Sequence, residues 1–183
     1  MEHTVSRKTA ALAGTAALVA GASLWPSVAG AEPSGHRSSR VITGQFVSER
    51  TQEAFVNNDA NPGPSLGDEL VYTNSGRGPL GAVTDYGRCM LHEVRLTPAP
   101  AAVTLACTAT TKIGRDSITF QGTSRTTLVP AGQAPRLLEP SRWAVTGGTG
   151  PFALARGDVV ISRLEGAGLD FKTFGRVRLV LAP

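Results

Sequence analysis

The stretch Trp143-Ala-Val-Thr-Gly-Gly-Thr-Gly-Pro-Phe-Ala-Leu-Ala-Arg-Gly157 decides the fold. Its Gly-rich part is similar to the loop that holds a pyrophosphate at the N-terminus of a helix in a βαβ unit. Only 33 residues follow Gly150, and they form two strand-like runs, residues 158–163 and 171–181, without a helical period. Parallel strands need a crossover of about a dozen residues or more. We therefore predict that the glycines form a tight turn between antiparallel strands.

The rest of the chain also consists of strand-like runs separated by turn residues. Short runs rich in β-branched residues alternate with Gly, Pro, Asn and Asp, and no run has a convincing helical period, so the sequence predicts an antiparallel sandwich or barrel. Residues 57–64 form the longest loop, which either lines a pocket or is an ordered surface turn. The predicted strands cover residues 41–50, 69–73, 81–86, 88–96, 103–112, 117–122, 124–129, 142–145, 158–163 and 171–181.

The N-terminus has the features of a secretory signal peptide. Arg7 and Lys8 form a basic region, residues 9–24 are apolar or small, and Ala29-Gly-Ala31 supplies a cleavage pattern. A membrane anchor needs about 20 predominantly apolar residues, and this stretch is shorter and interrupted by proline. We therefore expect a secreted protein cleaved after Ala31. The expected organisation is a signal peptide over residues 1–31, a disordered tail over 32–40 and one domain over 41–183.

Composition excludes several classes of function. The chain has 18 Lys and Arg against 14 Asp and Glu, and these charges are dispersed rather than arranged in a basic patch with interleaved aromatics, so nucleic acid is not an expected partner. Two Cys and three scattered His do not have the spacing of metal ligands. His36 and His92 offer no defensible Ser-His-Asp arrangement. We therefore expect no metal site and no hydrolase chemistry of that type.

The two cysteines suggest a disulfide. Cys89 and Cys107 lie on consecutive predicted strands joined by the turn at residues 97–100. Antiparallel pairing about that turn would bring the two side chains within bridging range, and an even number of Cys in an exported chain favours a bridge. The alternative is a pair of buried thiols.

Seven short motifs follow one another along the chain: Phe46-Val-Ser-Glu-Arg-Thr51, Leu66-Gly-Asp-Glu-Leu-Val-Tyr-Thr-Asn74, Gly81-Ala-Val-Thr-Asp-Tyr-Gly-Arg-Cys89, Ala106-Cys-Thr-Ala-Thr110, Ile118-Thr-Phe-Gln-Gly122, Ala144-Val-Thr-Gly-Gly-Thr-Gly150 and Ala155-Arg-Gly157. In this order the motifs resemble the allene oxide cyclase family and its bacterial barrel-like relatives, which are neighbours of the dirigent proteins. The match covers about residues 41–165, and each motif is weak when taken alone. The resemblance implies an eight-stranded antiparallel barrel with a hydrophobic cavity, which in plant allene oxide cyclases forms a trimer. A barrel of this size can hold one small ligand.

The resemblance also implies a chemistry without cofactors. Plant allene oxide cyclases hold an unsaturated fatty-acid epoxide in an apolar barrel and open the epoxide beside a tightly held water. A glutamate assists delocalisation while the folded substrate closes a ring. The matching positions assign the glutamate to Glu49 and the water-binding asparagine to Asn74, as the catalytic residues. Thr51 and Ser124 replace an asparagine and a tyrosine of the family, which changes the polar lining. The expected ligand-binding residues are Thr51, Tyr72, Gln121 and Ser124.

Some of these assignments have a second interpretation. Glu49 is either a carboxylate inside the cavity, where burial would raise its pKa, or an exposed partner of an arginine such as Arg50 or Arg77. Asn74 precedes Ser-Gly and could serve only as a turn residue. If Cys89 is bridged to Cys107, it cannot act as a free thiol.

Three classes of function fit the sequence. The first is a cofactor-independent cyclase or isomerase that folds an apolar, polyunsaturated small molecule, lipid- or polyketide-like, for intramolecular ring closure. The second is a secreted, lipocalin-like binding protein without turnover. The third is a dirigent-like protein that guides a coupling reaction. The retained Glu49 and Asn74 favour the first, whereas export favours the other two. The expected partner is an apolar small molecule, and a homo-oligomer is compatible with the resemblance.

Overall fold

The computed structural model describes residues 38–59, 63–130 and 133–183. The predicted signal peptide and most of the predicted tail lie outside these residues. Within the described part no helix is long and apolar enough to cross a membrane. The described residues contain two single turns of 3₁₀ helix, at Gly150–Phe152 and Gly168–Asp170. The strands are β1 (Arg40–Val56), β2 (Glu69–Gly78), β3 (Gly81–Arg95), β4 (Ala102–Ile113), β5 (Asp116–Thr127), β6 (Ser141–Gly148), β7 (Arg156–Glu165) and β8 (Lys172–Leu181).

The eight strands form a closed antiparallel barrel. Each strand pairs with the next one in the chain, and β8 pairs with β1 to close the sheet. β1 is the longest strand because its first part pairs with β8, from Arg40 opposite Leu181, while its second part pairs with β2, up to Val56 opposite Glu69. The all-β fold and the eight-stranded antiparallel barrel are thus confirmed.

Two pairs of predicted strands are single strands in the structure. Residues 81–86 and 88–96 belong to β3, and residues 117–122 and 124–129 belong largely to β5. The predicted break at Gly87 is absent because this glycine stays in the ladder opposite Tyr72. A Cβ atom at Gly87 would lie 2.1 Å from Cζ of Tyr72. The glycine therefore makes room for an aromatic ring and does not mark a turn.

The Gly-rich stretch connects antiparallel strands, as predicted. Its first two glycines complete β6, the chain then makes the 3₁₀ turn, and β7 runs back along β6 from Arg156. Gly150 has a φ angle of 53°, and a Cβ at this position would lie 2.2 Å from Oδ1 of Asp116. Both the backbone conformation and the close carboxylate require glycine here.

The core lies inside the barrel and follows the two-residue period of the strands. In β5, for example, Ile118, Phe120, Ser124 and Thr126 are buried, while Gln121 between them is exposed. The connections β1–β2, β3–β4, β5–β6 and β7–β8 lie at one end of the barrel, which we call the long-loop end. Residues of the β5–β6 and β7–β8 connections extend the interior surface at this end.

Candidate active site

The barrel encloses a cavity of about 390 Å³. This volume is in the range of pockets that bind one small organic molecule. Glu53 lines the cavity and its side chain is 37% exposed, so the cavity reaches solvent near this residue. The wall is mostly apolar and includes Phe46, Leu70, Leu105, Phe120, Trp143 and Val159.

A row of polar side chains crosses this wall. In the strand register, Arg50 of β1 lies opposite Asn74 of β2, Asn74 opposite Asp85 of β3, and Asp85 opposite Thr111 of β4. All four residues line the cavity. We call them the polar row. Buried polar groups are costly unless they are hydrogen-bonded, so such a row in an apolar wall is a candidate site.

Arg50 is the most highly connected member of the row. It is 7% exposed, and its Nε donates a hydrogen bond of 2.9 Å to Oδ1 of Asn74. Its Nη1 forms a salt bridge with Glu53. The guanidinium carbon also lies 4.5 Å from the ring centroid of Tyr72 and 4.8 Å from that of Phe171. These contacts hold a buried cation in one place in the cavity wall.

Tyr72 contributes a protonated hydroxyl. Burial raises the pKa of Tyr72 to about 12, although the nearby charge of Arg50 acts in the opposite direction. The phenol is therefore a hydrogen-bond donor at any physiological pH. Its ring occupies the space above the backbone of Gly87.

Asp85 is a carboxyl group in a largely apolar setting. Burial raises the pKa of Asp85 above its ordinary value, and a hydrogen bond donated by the Thr111 hydroxyl partly opposes this rise. That bond joins Thr111 Oγ1 to Asp85 Oδ1 and is 2.6 Å long. A carboxyl group with a raised pKa in a cavity is suited to donating a proton or a strong hydrogen bond.

A second polar group lies on β5 and β6. The hydroxyls of Ser124 and Ser141 are 2.6 Å apart, and Nε1 of Trp143 donates to Ser141 Oγ over 2.9 Å. Ser141 in turn donates to the carbonyl oxygen of Thr123. The described residues contain no group of three or more His, Cys, Asp or Glu side chains placed to hold a metal ion.

The disulfide prediction is confirmed. Cys89 and Cys107 face each other on β3 and β4 and form a bridge, and both residues line the cavity. They are the only two cysteines in the sequence. Neither is therefore available as a nucleophilic thiol, and the bridge adds a rigid apolar surface to the wall.

The structure brings together three of the predicted site residues. Asn74, Tyr72 and Ser124 are buried and line the cavity. Asn74 is mid-strand, so the alternative that it is only a turn residue is wrong.

The other three predicted site residues lie on the outer face of the barrel, which corrects the assignment made from the sequence. The Glu49 side chain is 58% exposed, and its Oε1 lies 3.0 Å from Nζ of Lys172. Thr51 is exposed and donates to the carbonyl oxygen of Thr73, and Gln121 is exposed on β5. For Glu49 and Gln121 the physical reason is strand alternation, because Glu49 lies between buried Ser48 and Arg50 and Gln121 follows buried Phe120. Thr51 lies at the irregularity of β1 between Arg50 and Gln52, where consecutive residues are exposed.

Sequence reasoning did not assign a site role to Arg50 or Asp85. The signal for Arg50 was present, because Ile42, Phe46 and Ser48 share its face of β1 at a spacing of two. Continuing that period places Arg50 inside and Glu49 outside. For Asp85 the signal was hidden, because the predicted strand 81–86 places it next to a strand end, whereas in the structure it lies in the middle part of β3.

Comparisons with known proteins find the same fold. No protein-family model and no curated protein matches the chain. Among solved structures, a pyocyanin demethylase has 25% sequence identity and a TM-score of 0.52, with 75% of this chain and 99% of that chain covered.

Two further structures share the barrel at lower identity. A pterocarpan synthase dirigent protein is 12% identical with a TM-score of 0.52, and the match covers 86% of this chain and 99% of that chain. A Diels–Alderase from Streptomyces koyangensis is 14% identical with a TM-score of 0.50, covering 82% and 72% of the two chains. The similar structures thus include both dirigent proteins and cyclase barrels.

Proposed function

We propose that the protein is a cofactor-independent cyclase or isomerase that promotes intramolecular ring closure of an apolar, polyunsaturated, lipid- or polyketide-like molecule. The observation that carries this proposal is an apolar cavity with a row of four polar residues in its wall. The barrel structures of a demethylase and a Diels–Alderase support an enzymatic role for this kind of cavity. The specific resemblance to allene oxide cyclase stays a prediction.

The cavity wall is the first part of the mechanism. A flexible chain confined in a space of about 390 Å³ loses most of its extended conformers. Holding reacting atoms close together can lower a barrier by several kcal/mol without any catalytic group. The disulfide and the aromatic side chains of the wall would keep this shape rigid.

The polar row is the second part. Asn74 and Arg50 would stabilise charge that develops on the substrate, which is the role expected of Asn74 from the sequence. Asp85 would take the carboxyl function expected of Glu49, because it lines the cavity and its pKa is raised by burial. Its proton can be donated to a developing oxyanion and recovered when the ring has closed.

The test exploits the fact that ring closure by isomerisation conserves mass. The full-length protein is incubated with the polyunsaturated fraction extracted from the producing culture, and products are separated by liquid chromatography and mass spectrometry. We expect a product of unchanged mass and changed retention time. Asp85→Asn should slow its formation by about 100-fold, in the range found for loss of general acid catalysis.

Glu49→Gln is the matched control, because it makes the same chemical change on the outer face. Its rate should equal that of the wild type. Loss of activity in Glu49→Gln with full activity in Asp85→Asn would contradict the proposed roles. A ligand that binds and is recovered unchanged would instead show a carrier without turnover, and would overturn the enzymatic proposal.

A further inference from the structure

We propose that the site receives a neutral ligand that presents a carbonyl-type oxygen to Arg50, Asn74 and Tyr72. This inference rests on the cavity of the proposed function and specifies the class of substrate. It follows from the hydrogen-bond donors that the three side chains leave unused. Each of these residues is more than nine-tenths buried and lines the cavity.

The orientation of the Asn74 amide is fixed by its partner. An arginine side chain has five N–H donors and no acceptor, so the Asn74 atom that faces Nε of Arg50 is the amide oxygen. The amide nitrogen, with its two N–H groups, therefore points elsewhere. Within the described residues it has no hydrogen-bond partner. Asn74 thus offers donors to the cavity after its acceptor has been used.

Arg50 and Tyr72 also have hydrogen-bond donors that the protein does not use. Arg50 uses Nε for Asn74 and Nη1 for Glu53, while Nη2 makes no hydrogen bond to any described residue. The Tyr72 hydroxyl likewise has no partner in the described part of the chain, and its pKa of about 12 keeps it protonated. Three adjacent side chains thus present unused donors, so the complementary ligand group is an acceptor.

The charge balance determines which kind of acceptor fits. Glu53 already neutralises Arg50 through their salt bridge. A carboxylate ligand would place a second negative charge beside the same guanidinium, in a largely apolar cavity where unpaired charge is costly. A ketone, enone, quinone or lactone oxygen adds no net charge and still accepts the available hydrogen bonds. The donors would also polarise such a carbonyl group and so activate the unsaturated system conjugated with it.

Binding of three probes with similar tricyclic skeletons tests the proposal. Xanthone carries a carbonyl at its central ring, xanthene has the same skeleton without it, and xanthene-9-carboxylate carries a charged group at that position. Equilibrium dialysis against the full-length protein gives a Kd for each. We expect xanthone to bind at least about tenfold more tightly than xanthene, which would leave the donors unsatisfied, and more tightly than the carboxylate.

The sequence contains two tyrosines, which supply a matched pair of variants. Tyr72→Phe removes one donor but keeps the ring against Arg50, so xanthone affinity should fall about fivefold, the effect of one hydrogen bond, while xanthene affinity stays unchanged. Tyr86→Phe, on an exposed side chain of the outer face, should change neither affinity. Thermal unfolding of both variants verifies that each is folded.

Several results would overturn the inference. These are failure of xanthone to bind, equal affinity for xanthone and xanthene, tighter binding of the carboxylate, or the same loss in both tyrosine variants. None of them depends on turnover. A carbonyl preference without any cyclised product would support this inference and contradict the enzymatic proposal, so the two fail separately.

Discussion

Asp85 gives the protein a pH dependence that can be measured without knowing the substrate. Because burial raises its pKa, the unfolded chain loses the Asp85 proton at a lower pH than the folded protein does. The stability contributed by the protonated form is complete below the unfolded pKa, about 4. It is lost as the pH rises through the folded pKa. We therefore expect Asp85→Asn to be more stable than the wild type at pH 7, with the difference vanishing towards pH 4.

Asp68 provides a control, because its pKa is shifted in the opposite direction and its effect on stability should change with pH in the opposite sense. Its buried carboxylate accepts backbone N–H groups from Asn58 and Ser65, and these hydrogen bonds lower its pKa. Its contribution is therefore present above the unfolded pKa and is lost as the pH falls. Asp68→Asn should be destabilised at pH 7 and less so in acid. Urea unfolding between pH 4 and 8 gives the free energy of unfolding of each variant and of the wild type. If the difference between variant and wild type did not change with pH, the assigned directions of the two pKa shifts would be contradicted.

The residues of the site could be predicted in part. Asn74, Tyr72 and Ser124 were found through the resemblance, and all three line the cavity. Glu49 was wrongly assigned to the cavity because the role of the family's glutamate was transferred to it without asking which face of β1 it occupies. A two-residue period says which face a side chain occupies, but it does not say that a buried arginine will find Asn74, Glu53 and two aromatic rings as partners. Except for Glu53, which lies in the same strand, those partners come from β2 and from the β7–β8 connection.

The disulfide links β3 to β4 and should make a measurable contribution to stability. Its cysteines are 18 residues apart, and closing a loop of this length removes chain entropy worth about 3 kcal/mol from the unfolded state. We expect the Cys89→Ala, Cys107→Ala double variant to lose about that much free energy of unfolding in a denaturant titration. The wild type in the presence of a reductant should lose a similar amount. Equal stability of the oxidised and reduced wild type would contradict this account.

The ends of strands could be predicted from the sequence only where the residues at the boundary themselves cause the chain to turn. The turn after β6 was predicted because its glycines adopt conformations that other residues avoid. Gly87 was misinterpreted as a break, because the same residue type also serves to admit the ring of Tyr72 from a neighbouring strand. Nothing within residues 81–96 distinguishes these two uses of glycine. Only the partner strand does.

Neighbouring strands of the barrel differ in the number of residues that they pair. β4 and β5 have twelve paired residues in register, whereas β6 and β7 have four, from Ser141 opposite Ile161 to Ala144 opposite Asp158. Local opening needs least free energy where fewest interactions are lost. Amide hydrogens that bond across β6–β7 should therefore exchange faster with deuterium than those across β4–β5. Equal protection along both pairs, measured by NMR, would contradict this expectation.

Closure of the sheet depends on pairing between strands that lie far apart in the sequence. Strand patterns and turn signals were compatible with a sandwich as well as a barrel, since both expose one face of each strand and bury the other. The pairing that decides between them joins Arg40 to Leu181, two residues separated by almost the entire described chain. It was anticipated only through the resemblance, which supplied the number of strands and their closure together.

The pairing of β1 with β8 also has a consequence for biosynthesis. β1 leaves the ribosome before the other described strands, and β8 leaves after them. Until β8 is available, the earlier strands can form at most an open sheet with two unpaired edges, which are sites for pairing with other chains. Pairing of β8 with β1 removes both edges at once and so ends this exposure. A ligand cannot be enclosed by the complete barrel before β8 has been synthesised and has paired with β1.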